Sequence, residues 1–67
     1  MSYEVYKALS VVVEQIDEKV KQIQEAISSG TAKNFEEYRG LCGEIKGLLT
    51  ARSFAADLTH NMEHLDE

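Results

Sequence analysis

"ISSGTAKNFEE", residues 27–37, decides the fold of this chain. It is the only polar, glycine-punctuated break between two long stretches of helical periodicity. Ser28-Ser29-Gly30 reads as a helix stop, because Gly30 can take the left-handed conformation that ends helices. Asn34 followed three residues later by Glu37 has the spacing of a capping box, which starts a helix. Thr31 is a competing cap, so the restart is fixed only to about three residues.

Before the break the pattern is regular. Tyr6, Leu9, Val13, Ile16, Val20, Ile23 and Ile27 alternate at spacings of three and four, an a/d seam held for about three heptads. Glu14, Asp17, Glu18, Lys19, Lys21, Gln22 and Glu25 form the solvated face. The chain has no proline, so nothing interrupts a helix over about residues 2–28.

After the break, Tyr38, Leu41, Ile45, Leu48, Arg52, Ala55, Thr59 and Met62 continue the same spacing, widened by Cys42, Leu49 and Ala56. A helix over about residues 34–64 follows. At ~100° per residue, a second stripe of Gly40, Gly47, Ala51, Phe54, Leu58 and Leu65 lies roughly a third of a turn away, with Gly43 at its edge.

Two long helices joined by a short linker predict an all-α antiparallel hairpin, one domain over residues 1–67. A turn centred near Thr31 pairs residues whose numbers add to about 62. Tyr38 then meets Ile23, Leu41 meets Val20, Ile45 meets Ile16, and Leu48 and Leu49 meet Val13. Ala55 and Ala56 fall opposite Tyr6, and Thr59 opposite Tyr3. Arg52 falls near Ser10 and Glu14, with its head in water, paired to Glu14, or bridged to another chain.

Three glycines, Gly40, Gly43 and Gly47, stand inside the second helix. Each costs about 1 kcal/mol relative to alanine. Either they admit bulky side chains of the first helix, or they let a partner's backbone approach closely. Gly43, Gly47 and Ala51 have the small-xxx-small spacing of close helix contacts. Phe54, Leu58 and Leu65 extend the stripe beyond the glycines, and a helix apolar on two sides is normally covered on two sides. The expected partner interface is therefore Gly40, Gly43, Gly47, Ala51, Phe54, Leu58 and Leu65. The hairpin is expected to be oligomeric or packed on a larger protein.

Composition narrows the chemistry. The net charge of −5 gives no footprint for phosphate backbones, so nucleic acid is not expected as a direct partner. No apolar run exceeds Val11–Val13, and the start lacks a signal-peptide core, so neither a membrane span nor secretion is expected. The single cysteine, Cys42, excludes an intramolecular disulfide. Cys42 reads as a structural residue beside the seam. The nearer histidine is eighteen residues away, about 27 Å along a helix, too far to serve as its base.

His60 and His64 share a helix face and could hold zinc with Asp57 or Glu67. Two exposed ligands do not make a site, however, and they read as a solvated helix end. The carboxylates are interleaved with lysines, and a hairpin offers little concavity for paired acid–base work. No enzyme, cofactor or metal is expected.

The string "AISSGTAKNFEEYRGLCGEIKGLLTARSFAADL", residues 26–58, resembles a recurrent pattern in small proteins of tailed bacteriophages, encoded near head and portal genes. The matching positions are Ser29, Gly30, Tyr38, Gly43, Ile45, Gly47, Leu48, Asp57 and Leu58. The resemblance implies a non-enzymatic accessory component of the virion or its assembly, made in the host cytoplasm. Its partners would be virion proteins or further copies of itself. A small acidic regulator that binds and inhibits a host protein is the alternative, using the same apolar stripe.

Overall fold

A computed structural model describes residues 3–65, with side chains described over 3–61. Two helices, α1 (Tyr3–Ser28) and α2 (Phe35–Leu65), pack antiparallel as a hairpin. Their ends fall within one residue of those expected from the sequence. The rod measures 50 × 15 × 12 Å, little more than the ~46 Å length of a 31-residue helix.

The linker explains why the chain reverses where it does. Gly30 has φ +78°, a conformation that a side chain would strain. Its N–H donates to the Ile27 carbonyl at 3.1 Å, and the Thr31 N–H donates to the Ala26 carbonyl at 3.1 Å. These two bonds form a Schellman motif and satisfy carbonyls that the helix end leaves bare. The Ser29 hydroxyl adds a bond to the Ala26 carbonyl at 3.0 Å.

Asn34, not Thr31, caps α2: the Glu37 N–H donates to Asn34 Oδ1 at 2.9 Å. The Glu37 carboxylate reaches back to the Lys33 N–H at 2.8 Å, one residue earlier than in the usual box.

All seven seam residues of α1 are at least half-buried, and Val20 and Ile23 are the most buried pair, 7% and 5% exposed. On α2 the inward residues are Leu41, Cys42, Ile45, Leu48, Arg52, Ala55, Ala56 and Thr59. The faces thus match the heptad reading. Two members do not: Tyr38 and Leu49 are exposed, and the side chain of Met62 lies outside the described residues.

The register differs from the expected one. Arg52 pairs with Asp17, Nε to Oδ1 at 2.6 Å and an Nη to Oδ2 at 3.2 Å, and not with Glu14. Ala56 and Thr59 share a hollow with Ser10 and Val13, and Leu48 shares one with Ile23. Facing residues therefore add to about 69, one heptad beyond the expected register.

Ile45 does not meet Ile16, Tyr38 does not meet Ile23, and Tyr6 loses its alanine neighbours. A slip of seven residues presents the same faces, so periodicity could not distinguish the two registers. The observed one lays α1 along α2 for its whole length. The surplus of the longer helix becomes an overhang, Phe35 to Gly40, beyond the end of α1. Phe35 and Tyr38 on that overhang lean on each other, with ring centroids 6.3 Å apart.

The Asp17–Arg52 pair is bidentate but open to water, and such pairs contribute little stability. The hydrogen bond from Arg52 holds the Asp17 carboxyl below its ordinary value.

Candidate interaction surface of the second helix

The glycines do not serve the hairpin. A Cβ built at Gly40, Gly43 or Gly47 would meet nothing within 4 Å. The first helix therefore does not require them, and their helix-weakening cost has no compensation inside the hairpin. Gly43→Ala is expected to raise stability by up to about 1 kcal/mol through helix propensity alone. Thermal melts of the isolated chain check this; a loss of stability would mean that the first helix packs on the glycine.

The seven interface residues expected from the sequence are placed as follows. Gly40, Gly43, Gly47, Ala51, Phe54 and Leu58 are all exposed. Leu65 lies on the described backbone of α2, but its side chain is outside the described residues.

At ~100° per residue these six lie along one stripe of α2. Gly40 opens onto a shallow hollow with Thr31, Ala32, Glu37, Leu41 and Glu44. Gly47 opens onto another with Lys19, Ile23, Glu44 and Leu48. Phe54, 69% exposed, stands two turns beyond Gly47 on the same face of the helix. It also borders a groove along the opposite flank of α2 with Cys42, Ile45, Leu49 and Ser53.

That opposite flank was not read from the sequence. Phe35, Tyr38, Cys42, Ile45 and Leu49 are spaced three, four, three and four, a second heptad row beside the hairpin seam. Phe35 is 71% exposed and Leu49 48%, while Cys42 is half-buried at the edge of the seam. The Tyr38 phenol is raised above its ordinary value, first by its side-chain hydrogen bond with Cys42.

The spacing was a usable signal. It was hidden because Tyr38 and Ile45 belong to both rows. Lys46, Thr50 and Ser53 are the polar residues lining the groove.

The rod leaves much of its surface in water. The chain exposes 5222 Å², against about 4,250 Å² for a compact monomer of its 7.5 kDa mass. The difference, ~1,000 Å², reflects the extended 50 × 15 × 12 Å shape of the rod.

Among the described residues no three His, Cys, Asp or Glu side chains stand close enough to hold a metal ion. The His64 side chain lies outside the described residues. No described helix is long and apolar enough to cross a membrane. Comparison with family models, curated proteins and solved structures finds no match for the chain.

Proposed function

We propose that the chain is a non-enzymatic packing protein, a small helical accessory component of a tailed-phage particle or of its assembly. The observation that carries the packing role is the outward face of α2. Three helix-weakening glycines stand open there with nothing to accommodate inside the hairpin, between apolar side chains left in water. Glycines at such positions let another backbone lie close, and flanking Phe54 and Leu58 supply anchors. The phage assignment rests on the Ser-Gly turn and the Gly43-x-Ile45-x-Gly47-Leu48 pattern, through the resemblance described above.

Mass spectrometry of particles purified from infected cells tests the assignment, with the chain expected among the virion proteins. Gly47→Leu tests the surface. Leucine is a better helix former and a Cβ at Gly47 meets nothing within 4 Å, so helicity by circular dichroism should hold or rise. Incorporation should fall, because the new side chain holds the partner backbone away. A chain absent from particles refutes the virion role, and a Gly47→Leu chain incorporated as wild type removes the glycine face from the interface.

A further inference from the structure

We propose that the Asp17–Arg52 pair is the register key of the hairpin. It selects, from two heptad-related alignments of the same apolar faces, the one that leaves the linker end of α2 uncovered. This is a conformational device of the fold and does not depend on the packing role proposed above.

The seam by itself is degenerate. Leu9, Val13, Ile16, Val20, Ile23 and Ile27 on α1, and Leu41, Ile45, Leu48 and Ala55 on α2, follow the same spacing of three and four. A slide of one heptad again sets apolar against apolar. With 26 residues in α1 and 31 in α2, either alignment lays nearly all of α1 on α2. The observed one leaves residues 35–40 overhanging at the linker; the other would leave residues 60–65 overhanging at the far end. The linker, residues 29–34, reaches about 20 Å when extended, enough for both.

The charges break the degeneracy. Asp17 belongs to a row of α1 beside the seam, Tyr3, Ser10, Asp17 and Gln24, in which it is the only charge. Arg52 belongs to a row of α2, Tyr38, Ile45, Arg52 and Thr59, in which it is likewise the only charge. The two meet in one alignment, the observed one, where the guanidinium grips the carboxylate with Nε at 2.6 Å and an Nη at 3.2 Å. One heptad away, Arg52 would face Ser10, and the Asp17 carboxylate would lie beside Ile45. Glu14, a turn beyond Ser10, is on the exposed face of α1.

An exposed ion pair adds little to stability. Selection needs only a difference between alternatives that are otherwise equivalent, and single polar positions fix register in paired helices in this way. The choice has a visible consequence. Phe35 and Tyr38, 71% and 45% exposed, are the residues that Ile27 and Ile23 would cover in the other alignment. The pair therefore decides whether these aromatic rings are presented or hidden.

The test reads the two alignments as two disulfides in the full chain with Cys42→Ser. One chain carries Val13→Cys with Ala56→Cys, level in the observed alignment. The other carries Ile16→Cys with Ile45→Cys, level in the alternative. Each is equilibrated with reduced and oxidised glutathione at low concentration, and the ratio of the two effective concentrations reports the ratio of alignments. The cost of replacing seam residues is common to every background, so each pair is its own reference.

Asp17→Asn keeps the shape and removes the charge. It should move the ratio about threefold to fivefold toward the Ile16–Ile45 disulfide, the range an exposed pair allows. Adding Ser10→Asp to Asp17→Asn shifts the partner of Arg52 by one heptad and should move the ratio on the order of tenfold or more in the same direction. Exchanging the charges, Asp17→Arg with Arg52→Asp, should return it to near the wild-type value.

An unchanged ratio in Asp17→Asn overturns the key. So does a ratio that Ser10→Asp leaves where Asp17→Asn alone puts it, because the alignment would then not follow the charge. Circular dichroism accompanies each variant. Loss of helicity in Asp17→Asn also overturns the proposal, since the pair would then hold the fold itself and not choose between its alignments.

Discussion

Ile23→Ala should leave the isolated chain largely unfolded. Ile23 is the most buried described residue of the hairpin, at 5% exposure, and it lines one hollow with Leu48 and Gly47. Truncating a buried isoleucine to alanine costs about 2–5 kcal/mol, the lost transfer energy plus the cavity left behind. A domain of this length has only about 3–10 kcal/mol to lose, at 0.05–0.15 kcal/mol per residue. The helices cannot compensate, because isolated helices of this size are marginal in water without a packed face.

Circular dichroism at a few micromolar should show most of the helical signal gone at 25 °C. Val12→Ala, at a side chain already in water, should change little. A folded Ile23→Ala chain would mean that stability is spread along the rod and not concentrated at Val20 and Ile23.

Paired cysteines separate the two registers that the heptad permits. With Cys42 replaced by serine, cysteines at Val13 and Ala56 should oxidise readily within one chain, since both side chains line the same hollow between the helices. Cysteines at Ile16 and Ile45 should not. In the observed register Ile45 lies level with Gln24, eight residues from Ile16, or about 12 Å along the axis. A disulfide needs Cα atoms within about 7 Å. Non-reducing electrophoresis after mild oxidation at low concentration reads the outcome directly. Rapid closure of the Ile16–Ile45 pair would restore the register in which α2 runs seven residues the other way.

These two tests mark where sequence reading reached and where it stopped. Helix ends were legible because their chemistry is local: Gly30 and Asn34 act on backbone groups within a few residues. The inward faces were legible because burial repeats with the helical period. The register was not, since sliding Val13, Ile16 and Val20 by one heptad puts equivalent residues opposite α2.

The glycines were half legible. Their cost was evident, but only geometry shows that the first helix does not need the space. The second row on α2 escaped because Tyr38-Leu41-Ile45-Leu48 and Tyr38-Cys42-Ile45-Leu49 share two members, so the stronger pattern masked the weaker. The exposure of Phe54 was expected, but its place on the border of the groove with Leu49 was not.

The turn also governs the order of events during folding. Every contact between α1 and α2 closes a loop through the same Ser29–Asn34 linker, and the sequence separation of those contacts grows steadily toward the open end of the rod. Pairing can therefore advance like a zipper from the Schellman turn, each step lengthening the closed loop only slightly and at small entropic increment. Contacts near the linker, such as those of Ile23 with Leu48, form early, and those of Ser10 and Val13 with Ala56 form late. Changes near the turn should alter mainly the rate of folding, and changes near the open end mainly the rate of unfolding. A hairpin tied at one end thus has its speed set beside Gly30 and its lifetime set some 40 Å away.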